Sequence, residues 1–230
     1  MTVIDKSQIC VLIPAYNEEK KITGVVSGVL SRGYAVVVVD DGSTDSTAEK
    51  IRSLPVACVV SPKNEGKGAA IQRGFDWFAG QPYLAMVIMD ADGQHRPEEL
   101  ENFVLTLEKG EADIVVGNRM FDRKGMSWVR VVTNRFMSFI ISAIARQKIP
   151  DTQCGFRALT KDAAAKIRLK TKRFEVESEM LLLASKAGLK IRSIPIESVY
   201  RDEVSHIHPG RDTVRFLSFL IKFLLTQILQ

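Results

Sequence analysis

Apolar residues occur along this chain in short continuous runs, separated by segments in which apolar positions recur at helical spacing. The runs lie at 9–14, 35–40, 56–60, 84–90 and 113–117. They are rich in Val and Ile, as is typical of strands buried on both faces. The helical segments lie near 18–31, 44–53, 67–79 and 97–109. This alternation predicts an α/β fold with a Rossmann-like, mainly parallel sheet covered by helices on both faces.

Polar clusters follow four of the predicted strands. They are Pro14 to Glu19, Asp40 to Asp45, Asn64 to Gly68 and Asp90 to Gln94. Asn, Asp and Gly also favour ordinary turns, so one such cluster alone would be weak evidence of a site. Parallel strands bring their carboxyl ends to one edge of the sheet, where ligands bind in folds of this class. Four clusters at one edge therefore predict a binding site.

The residues at this edge exclude two common nucleotide sites. A dinucleotide-binding fold has a Gly-x-Gly-x-x-Gly turn after its first strand, where this chain reads "PAYNEE". The "GKG" at 66–68 lacks the earlier Gly and the following Ser or Thr of a phosphate-binding P-loop. An acidic edge suits the hydroxyl and N–H groups of a sugar or base, or a cation that holds phosphate.

The segment "DADGQ" at 90–94 predicts a metal site. Asp90 and Asp92 point the same way if the chain stays extended, because side chains alternate along a strand. Gln94 offers a third oxygen, and an all-oxygen set suits Mg²⁺ or Mn²⁺. A cation there would offset the repulsion between the two carboxylates and stabilise a departing diphosphate. The alternative is a solvated Asp-Gly turn.

Composition narrows the class of protein further. The chain has 230 residues, of which 46% are hydrophobic, and a formal net charge of +5. This composition suits one globular domain. The sequence has no basic stripe with interleaved aromatic residues, which argues against nucleic acid as a partner. Three widely spaced cysteines argue for reduced, mostly buried thiols and against a zinc site. The polar N-terminus lacks the pattern of a signal peptide, which favours a cytosolic location.

The motifs "VLIPAYNEE", "VVVVDDGSTDST", "NEGKGAAIQRGF" and "MDADGQHRPEEL", in this order, resemble those of the family 2 glycosyltransferases of the glycosyltransferase-A fold. The later segments "DIVVGNR", "DTQCGFRAL" and "YRDEVSHIHPGRDTVRF" resemble the polyprenyl-phosphate branch, which includes the dolichyl-phosphate mannose synthases. This resemblance implies metal-dependent, inverting transfer of a hexose from a nucleotide sugar to a polyprenyl phosphate. It makes GDP-mannose the first expected donor, with UDP-glucose or a UDP-N-acetylhexosamine as alternatives.

The same resemblance implies roles for particular residues on the donor side. The base and ribose would be lined by Pro14, Ala15, Tyr16 and Glu18, with Asp41 against the base. The metal would be held by Asp90, Asp92 and Gln94, with Ala91 against the nucleotide and Arg201 reaching the diphosphate.

On the acceptor side, the resemblance implies that Arg119 and Arg135 take the acceptor phosphate. The serine expected one turn after Arg135 has no clear equivalent, because Ser138 is only three residues on. This makes Arg119 the stronger candidate of the two arginines.

Four further residues have two possible roles each. Asp151 is either a general base or a local cap, and Arg157 either contacts phosphate or orders its loop. The glutamates of "EVESEM" do not share one helix face, so most are expected in solvent, with Glu177 the one able to face the cleft. Lys67, between two glycines, is expected to be exposed rather than near phosphate.

Two strongly apolar segments predict contact with a membrane. Residues 134–146 and 212–230 form amphipathic patterns, and the second has charges that favour lying in the interface over crossing it. Packing against the domain or in a homodimer is the alternative. The predicted organisation is a catalytic domain at 1–211, with a donor half of about 1–118 and an acceptor half of about 119–211, followed by an interface helix at 212–230. A protein organised in this way would be a peripheral membrane protein on the cytoplasmic side of the membrane.

Two rival functions remain open. A family 2 transferase with a hydroxyl acceptor, such as a glycan, would need a carboxylate base facing the acceptor. A non-catalytic, nucleotide-sugar-binding membrane scaffold would bind the donor without turnover.

Overall fold

The computed structural model of the chain describes residues 5–123, 125–173, 175–197 and 209–228. Its strands are β1 (Ile9–Ala15), β2 (Ala35–Asp40), β3 (Ala57–Val60), β4 (Ala85–Ile88), β5 (Ile114–Asn118), β6 (Arg157–Thr160) and β7 (Ile191–Pro195). Its α-helices are α1 (Ile22–Leu30), α2 (Thr47–Arg52), α3 (Lys67–Ala79), α4 (Leu100–Glu108), α5 (Trp128–Ala145), α6 (Lys161–Lys166), α7 (Val176–Lys186) and α8 (Pro209–Ile228). Single 3₁₀ turns span Lys6–Gln8 and Pro97–Glu99.

The seven strands form one sheet in the order β3-β2-β1-β4-β6-β5-β7. All neighbouring pairs are parallel except those of β6, which runs antiparallel to both β4 and β5. The predicted strands are confirmed to within two residues at each end. The antiparallel strand between β4 and β5 was not predicted, because "RALT" is short and begins with a charged residue.

The core lies on both faces of the sheet. Every residue of β1 is buried, as are most of β2, β4 and β5, which accounts for their continuous apolar sequences. Phe156, just before β6, packs against Phe103 of α4 with the rings tilted by 34° and their centroids 4.2 Å apart. Burial of such side chains is the main stabilising term of a sheet covered on both faces.

The C-terminal helix is amphipathic in an unexpected way. Phe216 and Leu220 are buried in the core, whereas Leu217, Ile221 and Leu225 are exposed. The helix therefore packs against the domain with one apolar stripe and presents a second one outward. It begins at Pro209, three residues before the predicted boundary.

A second exposed apolar stripe runs along α5. Its members recur at helical spacing and are Trp128, Val132, Phe136 and Phe139, with exposures of 75%, 57%, 48% and 75%. Ile140 and Ile144, predicted on the same side as Phe136, instead pack partly against the core. Of the helices the structure describes, none combines the length and apolar character needed to cross a membrane.

Candidate active site

The loops after β1 and β2 are joined into one rim by side chain–backbone hydrogen bonds. The backbone N–H of Asn17 donates to Ser43 Oγ over 2.9 Å, and Thr44 N–H donates to Asn17 Oδ1 over 2.8 Å. One residue on, Glu18 N–H donates to Thr47 Oγ1 over 2.8 Å. Asn17 has a φ of 55°, a conformation that Asn tolerates better than most residues. The polar residues of both loops therefore fix the rim.

The residues predicted to line a base and ribose lie at this rim. Pro14 and Ala15 are the last two residues of β1 and are buried, Tyr16 is 44% exposed, and Glu18 is half-buried. Tyr16 thus presents an aromatic face at the carboxyl edge of the sheet. Ala91, predicted against the nucleotide, is buried just beyond β4.

Asp41 connects the end of β2 to the start of α3. It is buried, and its Oδ2 accepts hydrogen bonds from the backbone N–H groups of Gly66, over 2.6 Å, and Glu65, over 3.1 Å. Arg73 of α3 contacts its other oxygen over 3.4 Å. This carboxylate therefore holds two strand-end loops together, and its predicted contact with a base stays a prediction.

The two aspartates of "DADG" do not lie on an extended strand. β4 ends at Ile88, and the chain turns at Ala91 and Asp92. Asp92 Oδ1 accepts a hydrogen bond from Gln94 N–H over 2.9 Å, which stabilises this turn. The condition of an extended chain is therefore not met, and the backbone follows the alternative of an Asp-Gly turn. The two carboxylates still interact, because the charge of Asp90 contributes to raising the pKa of Asp92.

An unexpected lysine lies beside Asp90. Lys67, the first residue of α3, places its Nζ 2.6 Å from Asp90 Oδ1 and 2.8 Å from Glu177 Oε1. Its side chain is only 19% exposed. The prediction that Lys67 is exposed was wrong. The lysine pairs with two carboxylates that lie 23 and 110 residues away in the sequence.

The glutamates of α7 are buried rather than solvated. Glu177 is 6% exposed and Glu179 is 4% exposed. Glu179 accepts hydrogen bonds from the backbone N–H groups of Lys170 and Thr171, at 3.0 and 2.8 Å. The two glutamates therefore have separate tasks, one paired with Lys67 and the other fixing the 170–171 segment.

The carboxyl groups of Asp90 and Asp92, at the acidic edge of the sheet, differ in the direction of their pKa shifts. Burial raises the pKa of Asp90, but the charges of Lys67 and His95 outweigh it, and the pKa lies well below its ordinary value. Burial lowers the pKa of Lys67, but Asp90 and Glu177 outweigh it and raise the pKa. Burial, followed by the charge of Asp90, raises the pKa of Asp92. Asp92 is thus the carboxylate whose charge this site balances least.

The oxygens at this edge suit a divalent cation only in the company of a substrate. In the part of the chain that the structure describes, no three His, Cys, Asp or Glu side chains converge to hold a metal ion. Asp90 and Asp92 supply two carboxylates, and Oδ1 of Asp90 is paired with the Lys67 ammonium over 2.6 Å. Mg²⁺ commonly uses one or two carboxylates plus substrate phosphates. The residues therefore fit such a cation if a bound diphosphate completes its shell.

A second buried cluster lies where β5 ends. Arg119 Nε donates to Asp151 Oδ2 over 2.8 Å, and its terminal nitrogen donates to Oδ1 over 3.0 Å. Asn134 Nδ2 also donates to Asp151 Oδ1, over 2.7 Å. Burial raises the pKa of Asp151, but the charge of Arg119 outweighs it and lowers the pKa. A carboxylate so occupied is a weak base.

Asn134 and Ser138, one turn apart on α5, complete this cluster. Ser138 Oγ donates to Asn134 Oδ1 over 2.8 Å and accepts from Thr152 N–H over 2.9 Å. Both residues are buried, whereas Arg135 is exposed. The structure therefore brings Asn134 and Ser138, not Arg135, to Arg119. Two polar residues at helical spacing within an apolar segment were the signal in the sequence.

The remaining arginines have different positions. Arg157 is 1% exposed and donates to the carbonyl oxygens of Cys154, Glu177 and Thr152 over 2.8, 2.6 and 2.9 Å. It therefore orders the loop before β6, the second of its two predicted roles. Arg201 lies outside the described residues.

A small cavity of about 50 Å³ opens between α5, α7 and α8. Its lining includes Arg173 and Arg215 together with Gln153, Ser178 and Phe216. Gln153 adjoins the Asp151 cluster, where its backbone N–H donates to Asp151 Oδ1 over 3.2 Å. The cavity therefore lies between the buried ion pair and the amphipathic C-terminal helix.

Comparison with known proteins gives a consistent result. The family described as Glycosyl transferase family 2 matches residues 10–168. A UDP-N-acetylglucosamine–dolichyl-phosphate N-acetylglucosaminyltransferase of Methanococcus voltae is 31% identical, over 84% of this chain and 86% of that protein. A polyprenol monophosphomannose synthase of Mycolicibacterium smegmatis is 29% identical, over 87% of this chain and 81% of that protein.

Among solved structures, a similar fold is that of glucosyl-3-phosphoglycerate synthase from Mycobacterium tuberculosis, in complex with Mn²⁺, UDP and phosphoglyceric acid. The TM-score is 0.71 at 19% identity, over 95% of this chain and 77% of that one.

Proposed function

The chain belongs to glycosyl transferase family 2 and has the glycosyltransferase-A fold, and on this premise we propose that it transfers a hexose from a nucleotide sugar to a polyprenyl phosphate. The glycosyltransferase activity follows from the family. The donor, the lipid acceptor, the metal and the membrane location are parts of the proposal.

The observation that supports a phosphate acceptor is the engagement of Asp151 by Arg119. A hydroxyl acceptor loses its proton as it attacks, and a positioned base contributes typically about 10²- to 10⁴-fold to that step. Asp151 was the candidate base, but its carboxylate is buried, ion-paired and lowered in pKa. A lipid phosphate has its second ionisation near pKa ~6, so it reaches the site already as an anion and needs no such base.

On the donor side, the rim around Tyr16 would bind the nucleotide, and Asp90, Asp92 and Gln94 would hold Mg²⁺ or Mn²⁺. Such a cation, when bound, stabilises negative charge on the departing diphosphate. Asp92 is suited to this because little else balances its charge. Arg201 remains our proposed contact to the diphosphate.

On the acceptor side, Arg119 and Arg135 remain our proposed contacts to the acceptor phosphate. Arg119 is 9% exposed and ion-paired, so a phosphate would meet only the edge of its guanidinium group. The cavity beside it is lined by Arg173 and Arg215, which supply further positive charge on the path from the exposed helices.

The nucleotide sugar is the least constrained part of the proposal. GDP-mannose is the first choice, in line with the mannose named for the mycobacterial relative. UDP-N-acetylglucosamine is the alternative, since the archaeal relative is named for that donor. Relatives of about equal similarity thus differ in their named sugar, and a direct assay has to decide.

The experiment is a transfer assay with a short polyprenyl phosphate and, as its matched control, the polyprenol of the same length. GDP-mannose, UDP-glucose and UDP-N-acetylglucosamine are offered in turn, with Mn²⁺ or with a chelator. We expect one donor to be turned over with the phosphate, in a metal-dependent way, and the alcohol to be inert. Equal transfer to the alcohol would favour the hydroxyl-acceptor rival, and donor binding without any turnover would favour the scaffold.

We place the enzyme peripherally on the cytoplasmic face of a membrane, through the exposed stripes of α5 and α8. Apolar residues on one side of a helix and nearby cations are the usual components of interfacial binding. Deleting 212–230 would also uncover the core, because Phe216 and Leu220 are buried. Replacing the exposed Ile221 and Leu225 by Ser leaves that packing intact and should reduce partition onto anionic vesicles. Unchanged partition combined with a shift from dimer to monomer would favour a homodimer interface instead.

A further inference from the structure

The Lys67 ammonium occupies the position beside Asp90 that a bound cation would share. It lies within 2.8 Å of one oxygen each of Asp90 and Glu177, and all three side chains are at most 22% exposed. A bound divalent ion at Asp90 and this ammonium would repel each other strongly in such a poorly hydrated site. Lys67 therefore bears directly on when a metal can bind.

The backbone holds Lys67 in this place. Gly66 has a φ of 100°, and a Cβ there would overlap the carbonyl oxygen of Lys172. Two residues on, Gly68 N–H donates to the same carbonyl oxygen over 3.0 Å. The 170–172 segment is in turn fixed by Glu179 through the backbone N–H groups of residues 170 and 171. The start of α3 is thus clamped, and only the lysine side chain is able to change partners.

The carboxylate of Asp90 is confined on its other side. A Cβ on Gly155 would overlap its Oδ2, and His95 Nε2 lies 3.7 Å from the same oxygen. Asp90 therefore keeps its position whichever cation neutralises it. Glu177 has a buried second oxygen, Oε2, without a hydrogen-bond donor. This carboxylate is available to retain the ammonium if Asp90 is taken by a metal ion.

We infer that Lys67 is a positioning residue that acts as a tethered counter-cation: it neutralises Asp90 in the empty enzyme and makes binding of Mn²⁺ or Mg²⁺ dependent on the donor diphosphate. This inference rests on the proposed function for the location of the metal. A diphosphate brings the negative charge that balances both the metal ion and the displaced ammonium. Metal and nucleotide then bind with positive coupling, and neither carboxylate is left unpaired at any stage.

The test is Mn²⁺ binding, followed by the electron paramagnetic resonance signal of the free ion, with and without GDP or UDP. For the wild type we expect the nucleotide to tighten Mn²⁺ binding by about 10-fold or more, within the usual range of coupling between sites. Lys67→Met should bind Mn²⁺ alone about 10-fold more tightly than the wild type does, and the effect of the nucleotide should shrink correspondingly.

Two matched variants make the result specific. Lys63→Met removes an exposed lysine nearby and the same unit of charge, and it should behave as the wild type. Lys67→Arg keeps the charge and should retain most of the coupling. If Lys67→Met does not fold because Glu177 is left unpaired, Lys67→Met with Glu177→Gln restores the wild-type net charge and takes its place.

Unchanged or weaker binding of Mn²⁺ alone in the Lys67→Met protein would overturn the inference, while the transfer reaction stands. Equal Mn²⁺ affinity of the wild type with and without nucleotide would overturn it as well. A wild type that binds no Mn²⁺ even with nucleotide would overturn both this inference and the metal dependence of the proposed function.

Discussion

Two buried clusters of charged side chains lie close to the first turn of α7, and they differ in how far their hydrogen-bonding capacity is used. Around Asp151, both carboxylate oxygens receive donors from Arg119, Asn134 and backbone N–H groups. Around Lys67, one ammonium serves two carboxylates, and the buried second oxygen of Glu177, Oε2, has no hydrogen-bond donor.

This difference indicates what each cluster does. A buried polar network with all partners in place makes the local structure rigid, and breaking it is costly. A cluster with excess negative charge and an unused carboxylate oxygen is less stable by itself and gains stability when a cation or ligand arrives. We therefore interpret the Asp151 cluster as the support of the acceptor half, and the Lys67 cluster together with Asp92 as the responsive part of the site.

The largest expected effect is on the satisfied cluster. Arg119→Ala should lower the free energy of unfolding by about 3–5 kcal/mol, because it leaves Asp151 as an unpaired buried charge. Arg135→Ala, an exposed arginine in the same half, should change it by less than about 0.5 kcal/mol. Urea unfolding of both variants measures this.

Adding Asp151→Asn to Arg119→Ala should recover part of the loss, because the uncompensated charge is removed. If Arg119→Ala is as stable as Arg135→Ala, the two clusters do not differ as described. A loss of transfer activity in Arg119→Ala is informative about the acceptor only when stability has been measured alongside it.

The second prediction concerns Asp92, which belongs to the responsive part of the site. Asp92→Asn should reduce transfer by about 100-fold or more, since a charged ligand worth several kcal/mol in the transition state becomes neutral. The measurement is the rate at limiting Mg²⁺ or Mn²⁺. A near-normal rate under those conditions would remove Asp92 from the metal site.

The same variant should be more stable than the wild type, which is the smallest effect. In the wild type, the pKa of Asp92 is raised in the folded state, so its ionised carboxylate disfavours folding at pH 7. That penalty disappears as the pH falls through the raised pKa. For a chain of this size, each 1 kcal/mol of stability gained raises Tm by about 2–4 °C. A thermal scan at pH 7 and pH 4 should show the advantage of Asp92→Asn shrinking at the lower pH. A lower Tm at pH 7 would contradict it.

The sequence was sufficient for strands β1 to β5 and for the polar clusters that follow them, because both depend on local patterns. β1, β2 and β4 are continuous apolar runs, and acidic residues follow their carboxyl ends. The turn at Ala91 and Asp92 was considered only as the alternative to an extended chain, and the hydrogen bond from Gln94 N–H to the Asp92 side chain, which stabilises it, is not apparent from the sequence.

The pairing of charged residues was not predictable in the same way. Lys67 and Glu177 are separated by 110 positions, and Arg119 and Asp151 by 32. A lysine between glycines and a glutamate in a polar stretch both suggest solvent until their partners are known. For Arg157 the sequence left two roles open, because its three acceptors are backbone carbonyls and leave no mark in the sequence.

The position of β6 between β4 and β5 also governs how the chain folds as it is synthesised. β4 and β5 are complete at residue 118, but the strand that pairs with both ends only at Thr160. Until then, each has an edge ready to pair with another chain, which is a known route to aggregation. A fragment that stops at residue 118 retains the donor-side loops yet lacks the strand that closes its sheet. The two halves that we propose for the donor and the acceptor are therefore one unit of folding.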